Sequence, residues 1–331
     1  MNLKGLEGKK VLFGHHDDLA YGVDWVNQPG RSDVKEVAGS YPAVFEWEMG
    51  GLEKGAATDL DGAHFDQIRQ WIIDGYGHNA VTVLSWHMNN PVTGGNAWDT
   101  TVAVSAILPG GPQHEKYTQW LDRFAAFDMT LRAGPTWVPV ILRPFHETSG
   151  SWFWWGGRHR GADEYRALWR FTVEYLRDRK GLHNLLYAYS PDVFDSEDAY
   201  LASYPGDAYV DVMGVDDYQS IKTPATRDVF ARRLHALVEM ADARGKVPAL
   251  TETGVEGVPD STWWTGTLLA GIKSDSLATR IVWVSVWRNA NHHHFYAPFV
   301  GHPSAPDFVK FRADPLMAFQ GDIADLYHTA R

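Results

Sequence analysis

Short apolar, β-branched stretches alternate along this chain with longer segments in which apolar residues recur at helical spacing. An alternation of this kind predicts a parallel sheet whose strands are joined by crossover helices. The stretches short enough to be buried strands are Lys10–Gly14, Ala43–Trp47, Ala80–Trp86, Trp137–Arg143, Leu185–Tyr189, Val210–Val215, Val247–Thr251 and Ile281–Trp287. Counted in order, they give eight predicted strands.

The segments between the strands carry apolar residues on one helical face. One such stripe comprises Tyr117, Trp120, Leu121, Phe124, Phe127 and Leu131, and a second comprises Tyr165, Leu168, Trp169, Thr172, Val173 and Leu176. Each stripe would pack on the sheet, so core packing is favoured over sugar binding for Trp120 and Trp169. Gly181 and Gly245 each follow a helical segment, where glycine commonly ends a helix.

The number of strand–helix units indicates the fold class. Eight units in 331 residues predict an α/β fold of the (β/α)8 TIM-barrel type. No Ser/Pro/Gly-rich linker, repeat or low-complexity tract interrupts the sequence, so we predict a single domain over residues 1–331. The insertions at 89–112, 148–161 and 289–306 follow the third, fourth and eighth predicted strands. Such barrels build their active sites from the loops at this end of the strands.

Composition narrows the classes of function. The chain has no cysteine, which excludes disulfides, thiolate metal sites and a cysteine nucleophile. A formal charge of −11 argues against nucleic acid or an anionic membrane surface as a partner. Fifteen Trp, 14 Tyr and 15 Phe are more aromatic residues than a core needs, and half-exposed aromatic faces are what sugar rings stack on.

The compartment is only partly constrained by the sequence. No apolar run approaches the roughly 20 residues that a membrane-spanning helix needs, and the first residues lack the apolar middle of a signal peptide. We expect an extracellular or periplasmic protein whose export signal is absent from this chain, with an intracellular protein as the alternative. A monomer is expected.

Polar side chains cluster at the ends of the predicted strands, where a barrel would bring them to one mouth. In order, they are His15, His16, Asp17, Asp18, Glu46, Glu48, His87, His146, Glu147, Asp192, Asp216, Asp217, Tyr218, Glu252, Trp287 and Arg288. A cavity rich in carboxylates, imidazoles and indoles is typical of a carbohydrate site.

Glycoside hydrolysis needs two carboxyl groups on opposite sides of the scissile bond, and Glu147 and Glu252 are the best pair. Glu147 precedes the aromatic run 152–155, which can desolvate an acid and raise its pKa. Glu252 closes the seventh strand with no adjacent carboxylate to compete for its role. Asp216 and Asp217 are a rival pair, but alternation along a strand lets only one face the mouth, leaving the other against a helix.

Six motifs distributed along the chain resemble those of one enzyme family. They are RPFHETSGSWFWWGG at 143–157, TETG at 251–254, VLFGHHDDLAYG at 11–22, SWHMNNPVTGGNAW at 85–98, GVDDYQ at 214–219 and WVSVWRNA at 283–290. Together they resemble the β-mannanases of glycoside hydrolase family 26. The resemblance implies catalytic glutamates on strands four and seven, and cleavage of internal β-1,4-mannosidic bonds by double displacement with retention. It implies Glu147 as acid/base and Glu252 as nucleophile.

The same resemblance implies roles for other side chains. His146 would contact the nucleophile and the −1 sugar, and Tyr218 would orient the nucleophile. The remaining implied sugar contacts are His87 and Trp287 at −1, Arg288 at −2, Trp152 as the aromatic wall at +1, and Trp98 as a plus-side aromatic. The implied ligands are β-mannan and manno-oligosaccharides, without a cofactor.

Several alternatives remain open at this point. The histidine runs at 15–16 and 292–294 invite a metal reading, but consecutive residues on a strand point to opposite faces, which favours substrate hydrogen bonding or loop packing. An exo-acting enzyme that releases mannobiose depends on how the loops at 23–40 and 89–112 fold. A relative acting on mixed-linkage β-glucan or β-1,3-xylan, and a non-catalytic polysaccharide-binding barrel, are further readings.

Overall fold

The computed structural model of the protein describes residues 1–323, 326 and 327. Its central sheet contains the strands β1 (Val11–His16), β2 (Val44–Glu48), β3 (Val81–Trp86), β4 (Val140–Pro144), β5 (Leu185–Tyr189), β6 (Val212–Asp217), β7 (Val247–Thr253), β8 (Trp283–Val286) and β9 (Met317–Ala318). The order in the sheet is β8-β7-β6-β5-β4-β3-β2-β1-β9, and β8 also pairs with β1. The eight long strands therefore close into a parallel barrel, which confirms the predicted (β/α)8 fold.

Helices follow most of the barrel strands. They are α1 (Asp33–Ala38), α2 (Phe65–Gly77), α3 (Val104–Ile107), α4 (His114–Asp128), α5 (Ala162–Glu174), α6 (Glu197–Leu201), α7 (Arg227–Arg244), α8 (Ala270–Lys273) and α9 (Ala305–Ala313). Wider π-helical turns continue α5 at Tyr175–Arg179 and precede α8 at Trp264–Leu269. In the part of the chain that the structure describes, no helix combines the length and the apolar character that crossing a membrane requires.

The predicted strands differ from the observed ones mainly at their ends. The fourth was predicted to begin at Trp137, but Trp137 pairs antiparallel with Arg132 in a small hairpin, and β4 begins at Val140. Pro139 separates the two because it has no N–H to donate to a ladder. The sixth strand continues past its predicted end at Val215, which places two further aspartates in the sheet. The short strand β9 was not predicted.

The chain divides into two compact units by the density of its internal contacts. The first unit comprises residues 1–47, 74–82 and the described residues from 212 onward. Its aromatic core surrounds Phe13, whose ring lies 4.9 Å from Phe319 and 5.2 Å from Phe308, centroid to centroid. Inside the sheet Gly14 faces Ser285, and a Cβ at position 14 would lie 2.0 Å from the Ser285 hydroxyl oxygen. Only glycine fits there.

The second unit comprises residues 48–73 and 83–211. Its core is also aromatic, because the ring of Phe145 makes edge contacts with Trp154, Trp155 and Tyr165 at 6.1 to 6.2 Å. All four side chains are essentially excluded from solvent. The prediction that residues 1–331 form a single domain stays a prediction.

Candidate active site

Glu147 follows β4 on a strained stretch of backbone in the second unit. Phe145 and Glu147 both have φ near +51°, in the left-handed region that side-chain-bearing residues rarely adopt. The Glu147 N–H donates to the Ser190 carbonyl at 2.7 Å, and the Glu147 carbonyl accepts from Gly150 N–H at 2.9 Å. Strain maintained by surrounding hydrogen bonds is concentrated at functional sites. The backbone conformation therefore identifies Glu147 as a candidate functional residue, independently of its carboxyl group.

The aromatic run after Glu147 contains buried, hydrogen-bonded indoles and one exposed ring. Trp154 and Trp155 are fully buried, and their indole N–H groups donate to the carbonyls of Met88 and His146 at 2.9 and 2.7 Å. Trp152 is 38% exposed, and its indole N–H donates to Oε2 of Glu147 at 2.5 Å. The run therefore contributes one open ring and a direct hydrogen bond to the carboxylate.

Three of the predicted sugar contacts lie beside this loop in the same unit. His87 and His146 are buried, with their Nε2 atoms 3.1 Å apart. The indole of Trp98 stacks on the His87 ring, with centroids 5.1 Å apart and planes 10° apart, and is half exposed. Phe153 packs edge-on against both histidines at 5.2 Å. Trp98 thus presents an exposed aromatic face next to a buried imidazole, and the Trp152 ring packs edge-on against Phe153 at 6.3 Å.

Glu252 lies near the end of β7 in the first unit. Its side chain is nearly buried, and Tyr218 donates its phenol hydrogen to Glu252 Oε2 at 2.9 Å. Tyr296 meets the Tyr218 ring edge-on at 5.9 Å and lies against Gly254, where a Cβ would come within 2.7 Å of the Tyr296 ring. Gly254 also has φ +133°, so both conformation and space require glycine two residues after Glu252.

Trp287 and Arg288 follow β8 in the same unit. The indole of Trp287 lies over the buried ring of His16, 4.2 Å between centroids, and Nη1 of Arg288 donates to the Tyr21 hydroxyl at 3.4 Å. Tyr21 in turn donates to Asp17 at 2.6 Å. The structure therefore places Trp287 and Arg288 on a polar, buried support, as partly exposed side chains.

A buried asparagine holds the loop that follows Arg288. The side-chain amide of Asn289 donates to Asp33 at 2.8 Å and to the Ala297 carbonyl at 3.0 Å. Its side-chain oxygen accepts from the backbone N–H groups of Tyr296 and Ala297 at 2.9 Å. One side chain therefore closes the loop and fixes Tyr296. Neither Asn289 nor Tyr296 was selected from the sequence, because nothing in the local pattern distinguishes them from ordinary loop residues.

The rival aspartates separate as strand alternation predicts. Asp217 accepts from Arg233 of α7 at 2.5 Å and from the Ser220 hydroxyl at 2.8 Å, so it is the one packed against a helix. Asp216 accepts from the Thr251 hydroxyl at 2.6 Å and is the register partner of Glu252. Asp216 therefore belongs to the surroundings of Glu252, and Asp217 is structural.

Histidines of both runs pair with carboxylates, two of them with residues far away in the sequence. His15 contacts Asp18 at 2.7 Å, His292 contacts Asp24 at 2.8 Å and His294 contacts Glu256 at 2.7 Å. These separate pairs fit the loop-packing interpretation of the runs, and substrate hydrogen bonding stays a prediction.

Burial and neighbouring charges raise the pKa values of Tyr296 and Asp59. Burial, together with the negative charges of Glu256 and Glu252, raises the pKa of Tyr296 to about 12, although Arg288 opposes the shift. Burial also raises the pKa of Asp59 to about 7, partly offset by backbone N–H donors and reinforced by Glu48. Tyr296 therefore stays protonated, and Asp59 is neutral below neutral pH.

Comparison with known proteins identifies one family, and its match includes both Glu147 and Glu252. The model of Glycosyl hydrolase family 26 matches residues 1–265. A mannan endo-1,4-beta-mannosidase of Bifidobacterium adolescentis is 42% identical over 238 residues, which are 69% of this chain and 24% of that protein. One from Caldalkalibacillus mannanilyticus is 29% identical over 66% of this chain and 43% of its own length. This chain therefore spans less than half the length of each of these two relatives.

Solved structures match over almost the whole chain. A GH26 beta-mannanase from Bacteroides ovatus superposes with a TM-score of 0.94 at 44% identity, covering 99% of this chain and 95% of its own. A modular endo-beta-1,4-mannanase from Cellulomonas fimi gives a TM-score of 0.92 at 36% identity, covering 99% of this chain and 76% of its own.

Proposed function

This chain belongs to glycosyl hydrolase family 26, and on that premise we propose that it is a retaining endo-1,4-β-mannanase. The observation that carries the proposal is the placement of two glutamates at the ends of β4 and β7, each with an aromatic hydrogen-bond donor. Glu147 accepts from the Trp152 indole, and Glu252 accepts from the Tyr218 phenol.

The proposed reaction is a double displacement. Glu147, protonated in the resting enzyme, gives its proton to the departing glycosidic oxygen while the Glu252 carboxylate attacks the anomeric carbon. Glu147, now ionised, then takes a proton from the water that hydrolyses the glycosyl-enzyme, and Glu252 is released. The Tyr218 hydrogen bond holds one oxygen of Glu252, so that the other is presented to the sugar.

The substrate class follows from the family and from the side chains around the glutamates. Mannose has an axial 2-hydroxyl, so a distorted −1 ring needs hydrogen-bonding groups and a flat apolar face close together. His87 and His146 are buried imidazoles in the second unit, and Trp287 is a partly exposed indole in the first. The exposed rings of Trp98 and Trp152 fit sugars on the leaving-group side.

The product profile on linear mannohexaose and galactomannan tests the proposal, with glucomannan, lichenan and β-1,3-xylan run alongside. A mixture of short manno-oligosaccharides supports endo action, whereas mannobiose alone from the start would replace it with exo action. Cleavage of lichenan or xylan without cleavage of mannan would reassign the substrate. Binding of mannan without any cleavage would leave a non-catalytic barrel.

We further propose that the protein acts as a monomer. We also propose that it acts outside the cytoplasm, because polymeric mannan does not cross the cytoplasmic membrane. Size-exclusion chromatography with light scattering tests the first statement. Detection of the protein in culture supernatant or periplasmic extract of its source tests the second, and exclusive recovery from the cytoplasm would contradict it.

A further inference from the structure

Glu48, at the end of β2, contacts a histidine through one oxygen and the backbone through the other. Its Oε1 accepts from the backbone N–H groups of Gly50 at 2.5 Å and His87 at 2.9 Å. Its Oε2 lies 2.5 Å from Nδ1 of His87. A carboxylate offers only acceptors, so the proton in this last contact belongs to His87 Nδ1. One oxygen of Glu48 therefore accepts from the backbone, and the other accepts from the His87 ring.

The other ring nitrogen of His87, Nε2, contacts His146. Nε2 of His87 and Nε2 of His146 are 3.1 Å apart, a distance at which one nitrogen donates and the other accepts. With its proton on Nδ1, a neutral His87 has only a lone pair on Nε2. His146 must therefore carry its proton on Nε2 and keep Nδ1 unprotonated.

We infer that Glu48 is a positioning residue that acts through His87 to fix the tautomer and ring orientation of His146, the residue preceding the acid/base. The inference deepens the proposed function and rests on it for its kinetic consequence. Glu48 itself touches no sugar in this scheme. It determines whether His146 presents an acceptor or a donor at Nδ1.

Packing around the chain of three side chains prevents the rings from turning. Glu48, His87 and His146 are at most 5% exposed. The Trp98 indole covers one face of His87, and the His146 carbonyl accepts from the Trp155 indole at 2.7 Å. A ring held in this way can exchange its proton position but not its orientation, so the tautomer depends on the partner at Nδ1 of His87.

A glutamine at position 48 would invert the proton arrangement without removing a side chain. The amide oxygen must occupy the position of Oε1, because two backbone N–H groups point there. The amide NH2 then faces His87 Nδ1 and donates to it. His87 must carry its proton on Nε2 and donate to His146 Nε2, which moves the His146 proton to Nδ1.

Glu53 offers a matched control in the same loop. It is as buried as Glu48, and within the described residues its side chain accepts hydrogen bonds from N–H groups alone: Asn89 N–H at Oε1, and Gly51 N–H and the Trp86 indole at Oε2. Glu53→Gln therefore places an amide opposite donors and disturbs the loop, but among residues 1–323, 326 and 327 the side chain at position 53 contacts no imidazole. Any effect of a buried glutamine on folding or on loop position is shared by the two variants.

The first test reads the tautomers in the wild-type protein. Long-range proton–nitrogen spectra of 15N-histidine-labelled protein at neutral pH, assigned with His87→Gln and His146→Gln, report which ring nitrogens are protonated. We expect a proton on Nδ1 of His87 and on Nε2 of His146. A wild-type spectrum with His87 Nδ1 unprotonated, with His87 doubly protonated, or with His146 protonated on Nδ1 overturns the inference even if every variant fails to fold.

The second test compares Glu48→Gln with Glu53→Gln. In the Glu48→Gln spectrum both tautomers invert, and kcat on mannohexaose falls by at least about 10-fold with little change in KM, because contacts to the −1 sugar strengthen in the transition state. Glu53→Gln leaves both imidazole signals in place. Equal kinetic losses in the two variants would overturn the inference. A wild-type protein that cuts no mannan would overturn the proposed function alone, since the spectrum does not depend on substrate.

Discussion

The indole N–H of Trp152 donates a hydrogen bond to Oε2 of Glu147 over 2.5 Å. The resemblance to family 26 assigns Trp152 as the wall of the +1 sugar site, a role that uses only the face of the ring. The observed contact uses its edge, so one side chain can both stack on a sugar and hold the acid/base in orientation. A hydrogen bond to a carboxylate favours its ionised form.

Trp152→Phe separates these two roles, because phenylalanine keeps a stacking face and loses the N–H. Without that donor the proton is lost from Glu147 less readily, so the alkaline limb of kcat/KM should move up by about one pH unit. The measurement is the pH profile on mannohexaose. Trp98→Phe is the matched control, since Trp98 stacks on His87, and its alkaline limb should not move. Equal profiles for wild type and Trp152→Phe would limit Trp152 to stacking.

Tyr218→Phe removes the phenol hydrogen bond to Glu252 and keeps the ring. A hydrogen bond to a charged group contributes about 1.5–3 kcal/mol, so kcat should fall roughly 10- to 100-fold. Steady-state kinetics on mannohexaose measures it. Tyr296→Phe is the control, because Tyr296 packs edge-on against Tyr218, and its loss should be clearly smaller. A Tyr218→Phe enzyme with wild-type kcat would show that Glu252 needs no such orientation.

Glu147→Ala should distinguish acid catalysis from nucleophilic catalysis. Loss of a general acid typically costs about 10²–10⁴-fold, and the loss disappears when the leaving group needs no proton. We expect mannan hydrolysis to collapse while an aryl mannobioside with a good leaving group is still attacked, giving a rapid burst of the phenol. An equal loss on both substrates would assign Glu147 another role.

Asp128, the last residue of α4, gives the protein a pH-dependent stability. Burial raises the pKa of Asp128 to about 7, only partly offset by a hydrogen bond from Asn184. A carboxyl whose folded pKa lies above its unfolded value stabilises the fold fully below about pH 4, and this stabilisation is lost as the pH rises through 7. The wild-type free energy of unfolding should therefore fall across this range, by up to about 4 kcal/mol from Asp128.

Asp128→Asn should flatten that fall, since an amide does not titrate. Urea unfolding at several pH values from 4 to 8 measures the slope, and the slope is informative even if the amide shifts stability at every pH. Asp59 has a similarly raised pKa and remains in the variant, so part of the slope should persist. A slope identical to that of the wild type would show that Asp128 is ionised throughout the range.

The barrel and the pair of glutamates were predictable because each has a local signature. A buried strand such as Leu185–Tyr189 is a short apolar run, and it was predicted with its observed bounds. Glu147 follows one such run and Glu252 lies near the end of another, in motifs that resemble one family. The catalytic roles of both, and the roles assigned to the other seven side chains, stay predictions.

Contacts between residues far apart in sequence could not be predicted in the same way. Glu48 was visible as a polar residue at a strand end, but its pairing with His87 joins positions 39 residues apart. Asn289 bonds to Asp33, 256 positions away. The hydrogen bond from the Trp152 indole is made to a residue, Glu147, whose backbone is left-handed. The residue type at position 147 does not predict that conformation. Register, ring orientation and strained backbone are set by the closed barrel.

Identification of the covalently labelled residue tests the central claim most directly. A 2-deoxy-2-fluoro-mannobiosyl donor with a good leaving group should inactivate a retaining enzyme by forming a long-lived glycosyl ester, and peptide mass mapping locates that ester. The account predicts a single label on Glu252, with mannobiose protecting against labelling. A label on Glu147 or Asp216, or turnover of the reagent without any covalent adduct, would contradict it.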